Sequence, residues 1–162
     1  MATYYLTTSG TFTTYIQAMA AGDYVYVAGG VNLFGGNSVN GYGLYDTSYG
    51  TAEIAGTIIG TNPLYFDGVS NYATDISIDQ GGKVVSNAAG GTALTIYSGL
   101  FNVYNNGQIT TTASGGGTSY GIYLAYYVQS GIIVNNGNIQ SGGVAIADLI
   151  ASSGIPPFFG RL

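Results

Sequence analysis

Two glycine-based markers recur along this chain at a common pitch. The first is glycine, any residue, then isoleucine or valine: Gly56-Thr57-Ile58, Gly82-Lys83-Val84, Gly107-Gln108-Ile109 and Gly137-Asn138-Ile139, at intervals of 26, 25 and 30 residues. Gly29-Gly30-Val31 fits one step earlier, 27 residues before Gly56. The second marker sets a small residue before an aliphatic one, out of phase with the first: Gly43-Leu44, Gly68-Val69, Ala93-Leu94, Gly121-Ile122 and Gly143-Val144, in steps of 25, 25, 28 and 22. Two independent markers holding one pitch define a degenerate internal repeat. Such a repeat restricts the chain to a stacked architecture whose units cannot bury a core alone.

The segments between markers alternate with period two. Ile76-Ser77-Ile78, Leu94-Thr95-Ile96, Phe101-Asn102-Val103, Ile122-Tyr123-Leu124 and Val144-Ala145-Ile146 keep their larger apolar residues on one face, as half-buried strands do. Asn105-Asn106-Gly107 and Asn135-Asn136-Gly137 are turn sequences, because Asn and Gly tolerate positive φ. Asn-Gly also closes hairpins, but a hairpin meander does not need several strands in each 25-residue unit. A parallel β-helix does, since its coils bury their inward rows only by stacking. The paired aliphatics then read as inward rungs and Asn-Gly as corners, with corner asparagines placed to ladder their amides between coils. The expected fold is all-β, a single-domain parallel β-helix of about five coils over residues 23–150.

Composition narrows the partners. The chain has 162 residues, enough for one domain with a real core and too few for two comfortable ones. It is 46% apolar, yet no apolar run approaches the roughly 18 residues of a membrane helix, so no membrane insertion is expected. Seven carboxylates face only Lys83 and Arg161. Two cations build no phosphate-tracking surface, which excludes nucleic acid as a partner. With no Cys and no His, thiol nucleophiles, imidazole bases and the usual zinc and copper ligands are gone, and no cofactor is expected. The stretch Met1 to Tyr5 lacks the basic region and apolar core of a signal peptide. Abundant Gly, Thr, Ser, Asn and Tyr with little Lys points to an extracellular or cell-surface protein.

At the start, "SGTFTTYIQAMAAGDYVYVAGG" reads as a capping helix over residues 10–22 and then a strand. Thr11 or Thr13 serves as N-cap, Tyr15, Ile16, Met19 and Ala20 form an apolar stripe, and Gly22 stands at the C′ position. In Ile16, Gln17, Ala18, Ala21, Gly22 and Asp23 the stretch resembles the N-terminal cap of right-handed parallel β-helix proteins of the pectin-lyase-like superfamily. The coil "GIYLAYYVQSGIIVNNGNIQSGG" resembles the passenger domains of autotransporters and related bacterial surface adhesins. These resemblances cover residues 10 to about 150; they imply the right-handed coil and a bacterial surface setting.

Carbohydrate-active enzymes of this resemblance use clustered acids in a groove on one sheet. The candidates here are Asp67, Asp75 and Asp79, with Lys83 nearby. Asp75 and Asp79 share a strand face, but positions i and i+4 lie about 13 Å apart along a strand, too far for glycosidase chemistry. One coil on, 25 residues later, stand Leu100 and Tyr104 rather than acids. "DISID" and Gly115-Gly116-Gly117 match no calcium loop, and "GTIIG" no phosphate loop. A non-enzyme is therefore expected.

The tyrosines carry more. Tyr42, Tyr45, Tyr49, Tyr123, Tyr126 and Tyr127 alternate outward, as packing against loops, a ligand surface for glycans, or a lateral protein contact. The ends complete the reading. Residues 1–9 form a strand-like arm with Tyr4, Tyr5 and Leu6, and residues 151–162 a tail with Ile155, Phe158 and Phe159. Both offer strand edges or apolar surface to a second copy. The function expected is a non-catalytic extracellular structural protein that self-assembles through its solenoid ends into a filament or surface layer. The alternative is a monomeric adhesin or glycan-binding module.

Overall fold

The fold is seen in a computed structural model, which describes residues 1–13, 16–35, 42–46, 48–67, 71–112 and 118–148. The first coil runs through β1 (Thr3–Leu6), β2 (Gly10–Phe12) and β3 (Gln17–Met19). The next two are β4 (Asp23–Val27), β5 (Asn32–Gly35) and β6 (Tyr42–Asp46), then β7 (Gly50–Ile54), β8 (Thr57–Gly60) and β9 (Asn62–Phe66). β10 (Ala73–Ile78) and β11 (Lys83–Ser86) follow, and then β12 (Thr92–Asn105), which turns a corner and serves two faces. β13 (Gln108–Thr111), β14 (Tyr120–Asn135), β15 (Asn138–Gln140) and β16 (Val144–Asp148) complete the described chain, β14 turning its corner as β12 does.

All pairings are parallel, and they make three faces, each six strands deep. Face one is β1-β4-β7-β10-β12-β14, face two β2-β5-β8-β11-β13-β15, and face three β3-β6-β9-β12-β14-β16. The chain is thus an all-β parallel solenoid, with slightly different coil bookkeeping from the about five coils expected. At the corner inside β12 the register slips near Ser98 and Gly99. Gly99 has φ +84°, a conformation nearly closed to residues with a Cβ.

Three inward columns hold the core together. They are Val25-Ala52-Ile76-Val103-Ile133 on face one, Leu33-Ile58-Val84-Ile109-Ile139 on face two, and Leu44-Leu64-Leu94-Ile122-Ile146 on face three. Most are fully buried, and each large aliphatic contributes about 1.5–3 kcal/mol by leaving water.

The repeat markers are stacking contacts. A Cβ on Gly56, Gly82, Gly107 or Gly137 collides with a backbone carbonyl of the neighbouring coil, that of Ala28, Ile54, Gly82 or Gly107 respectively. The same holds for Gly43 against Pro63 and Gly121 against Ala145. Three marker assignments need correction. Register pairs Asn32 with Thr57, so Val31 precedes the first rung where Gly29-Gly30 was expected to align. Gly143 lies outside the column of the second marker, because Val144 pairs with Tyr120. Gly68-Val69 lies outside the described residues.

The capping helix expected over residues 10–22 is not formed. Gly10–Phe12 and Gln17–Met19 are strands of the first coil, and no helix occurs among the described residues. Ile16 and Met19 are both buried although three apart, because a corner between them resets the two-residue alternation and imitates a helical stripe. Gly22, at φ +76°, turns the chain from face three into β4. The arm over residues 1–9 is not free either. Thr3 to Leu6 pair with Tyr24 to Val27 as the first rung of face one.

Candidate functional site: tyrosine surfaces on two faces

Alternation in β6 and β9 turns Leu44 and Leu64 inward and therefore Tyr45 and Tyr65 outward. Because Tyr45 is in register with Tyr65, their rings meet on face three. Ring centroids lie 5.1 Å apart for Tyr42–Tyr45, 4.4 Å for Tyr42–Tyr65, 5.6 Å for Tyr45–Tyr65 and 6.4 Å for Tyr65–Tyr97, the planes within 33° of parallel. The column continues through Thr95 to Tyr123, whose ring meets Tyr120 at 5.0 Å. Burial, then the charge of Asp67 and the neighbouring rings, hold the Tyr65 phenol well above its ordinary range. Burial also raises Tyr42 and Asp67. Offset aromatic pairs of this kind are worth about 0.5–1.5 kcal/mol beyond area burial. Each ring therefore spends part of its surface on a neighbour, which leaves less face for a stacking sugar. In a Tyr42/Tyr65 double-mutant cycle to leucine we expect a coupling of about 1 kcal/mol in urea unfolding. A coupling near zero would mean that the rings merely lie side by side.

Face one carries a second group. Tyr5, Tyr24 and Tyr26 pack edge-on, with centroids 6.4 and 6.3 Å from Tyr5. Tyr24 donates from its hydroxyl to Glu53 Oε2 at 2.6 Å. That hydrogen bond, with burial and the Glu53 charge behind it, pushes the phenol up to about 12. Tyr5 is 67% exposed, and Tyr72 is 65% exposed beside Tyr49, centroids 4.8 Å apart.

The sequence-proposed acids do not converge. Asp75 points outward on face one, in register with Thr51 and Asn102 rather than with Leu100, which pairs with Ala73. It accepts a hydrogen bond from Asn102 Nδ2 at 2.8 Å. Asp79 lies past the end of β10 and lines, with Gln80, Asn106 and Asn136, an open corner groove of about 460 Å³. Asp67 belongs to face three, beside Tyr42 and Tyr65. Sequence reasoning passed over Glu53, which pairs in register with Ser77 and so stands diagonal to Asp75.

At the first rung Tyr4, Leu6 and Phe12 are half-buried against the core. Ile155, Phe158 and Phe159 lie outside the described residues, as do the side chains of Tyr126 and Tyr127. No protein-family model, curated protein or solved structure matches this chain. What stands on its geometry is the architecture: an all-β parallel solenoid with aromatic ladders on two of its three faces.

Proposed function

We propose that the protein is a non-catalytic structural module of the cell exterior that associates with copies of itself through its solenoid ends. The observation that carries this reading is the one-sided pairing of the first coil. Among the described residues β1, β2 and β3 each pair only with the strand one coil along, β4, β5 and β6. They leave strand edges flanked by half-buried Tyr4, Leu6 and Phe12. Strand edges of this kind template pairing with another chain. The chemistry of the two ends favours like-with-like contact. In-register stacking of the last rung on the first sets Asn135 against Leu6 and Ile146 against Gln17, burying amides beside aliphatics. First rung on first rung brings Tyr4 and Leu6 together instead. The pectin-lyase-like and adhesin resemblances fit the same surface setting.

The test is the mass in solution together with negative-stain microscopy, for the wild type and for Tyr5→Lys, which puts a charge on the open strand where the side chain is already exposed. We expect assemblies that dissociate at least tenfold more readily in the variant. A monodisperse wild-type monomer would sink the reading. The exposed Tyr5, Tyr72 and Tyr104 favour a second one, a glycan-binding module, and that outcome would turn the search to glycan arrays.

A further inference from the structure

The inward column of face three that starts at Met19 continues through Asp46, Phe66, Ile96 and Leu124. A carboxyl therefore occupies a core position between a thioether and a phenyl ring. Asp46 is 0% exposed. Its Oδ1 accepts the Ser48 amide at 2.8 Å, while Oδ2 is buried with no hydrogen-bond partner. The space around Oδ2 is filled: a Cβ on Gly50 lies 2.8 Å from it, 2.8 Å from Met19 Cε and 2.9 Å from the Asp23 carbonyl oxygen.

A second buried carboxyl stands next to this one. Asp23, 3% exposed, accepts the backbone amides of Ala2 and Ala20, and so ties β1 and the turn before β4 to one point. Those hydrogen bonds hold it below the usual carboxylate range, so it is ionised. The charged and titratable groups around the pair are few. The Met1 amine is 3.9 Å from Asp23 Oδ1, and the Tyr4 hydroxyl reaches Asp23 from β1. Tyr49 covers Gly22, and Asp67 follows β9 with its amide on the Asp46 carbonyl. β3, β7 and β9 contribute only Met19, Gly50 and Phe66 at this point.

We infer that Asp46 is a proton-operated latch on the first coils. Protonated, it is a neutral side chain that fits its apolar column. Ionised, it places an unsolvated second carboxylate beside Asp23 and loosens the turn and the strand that Asp23 holds. Burial, followed by the Asp23 charge and against the Ser48 hydrogen bond, raises the Asp46 carboxyl to about 6. The fold thus keeps the proton at a pH where the unfolded chain, at 3.8, has released it. The stability that the protonated form supports is full below that value and is lost as pH rises through about 6. Asp23 runs the other way, its contribution present at neutral pH and lost only in strong acid.

Hydrogen exchange measured at pH 5 and pH 7.5, corrected for intrinsic rates, tests the latch. The reporters are the amides of Gly22, Tyr24 and Ala28, which donate to Tyr49, Ala2 and Leu6, and the distant reference is Asn136, which donates to Asn105. In the wild type we expect protection of the first three to fall at least tenfold at the higher pH, with Asn136 changing less than twofold. In Asp46→Asn all four hold their pH 5 values. A uniform loss over every coil, or the same local loss in the variant, would overturn the inference. If the variant does not fold, ¹³C titration of the Asp46 carboxyl in the wild type still decides. A midpoint near 6 supports the latch, and one at or below 4 removes it.

Discussion

Gly82→Ala is expected to destabilise the solenoid by about 3 kcal/mol or more, whereas Gly81→Ala, one residue away, stays within about 1 kcal/mol of the wild type. Neither glycine has positive φ, so backbone strain does not separate them. The difference is what an added methyl meets. At Gly82 the Cβ collides with the Ile54 carbonyl oxygen and closes to 3.1 Å on Ile78 Cγ2; at Gly81 the nearest atom is the Ala55 oxygen at 3.7 Å, ordinary contact. The Ile54 carbonyl cannot step aside cheaply. It accepts the Asp79 amide at 3.0 Å, and the Ile54 side chain is fully buried in the core. Relief would require the coils to separate at that corner, with a loss of backbone hydrogen bonds on both sides. At Gly81 alanine also removes unfolded-state freedom, worth about 0.4–1 kcal/mol in favour of the fold, so that variant is neutral or slightly stabilised. Urea midpoints by circular dichroism measure both. Equal effects at the two positions would show that the coils are not packed at carbonyl contact.

That contact explains why so much of the fold was legible in the sequence. Where a Cβ meets the next coil's carbonyl only glycine is tolerated, so Gly56, Gly82, Gly107 and Gly137 mark the corners whatever else varies. The strands of face two keep the pitch for the same reason. Face three hid its register because its coils vary in length. Tyr45 stacks on Tyr65 after 20 residues, and Tyr65 on Thr95 after 30, so the outward tyrosines could be read but their ladder could not. The false helix over residues 10–22 has a matching cause, since Ile16 and Met19 straddle a corner and are three apart without being helical. Asp46 was legible and passed over: alternation in β6 puts it on the side of Leu44, but polarity alone argues for the solvent side. The acids were judged on single strands, which kept Glu53 and Asp75 apart on the page although β7 and β10 are neighbours.

The asparagine corner is the place where burial and hydrogen bonding make opposite forecasts. In the inward column Leu6-Val27-Ile54-Ile78-Asn105-Asn135 the aliphatic run gives way to amides. On area alone, Asn105→Leu extends the run and gains about 1–2 kcal/mol. Asn105, however, is 1% exposed and serves three partners. Its Nδ2 donates to Asn135 Oδ1 at 2.7 Å and to the Asn138 carbonyl at 3.2 Å, and its Oδ1 accepts the Gly107 amide at 3.1 Å. Leucine orphans all three, and a buried group left unsatisfied costs about 1–3 kcal/mol. The bond to Gly107 is buried, so that amide meets the full penalty, while Asn135 and Asn138 are close enough to solvent to recover part of theirs. The penalties outweigh the gain, and we expect Asn105→Leu to lose about 2 kcal/mol. Asn105→Ala, which adds a cavity without the apolar gain, should lose about 3 kcal/mol or more. Removing the facing amide as well, in Asn105→Leu/Asn135→Leu, should return about 1 kcal/mol, because one orphan disappears while the Gly107 amide stays unpaired. Urea unfolding of the three variants orders these effects. If Asn105→Leu proves neutral or more stable, the ladder fixes which corner stacks on which and contributes nothing to holding the coils together, and apolar burial alone carries that load.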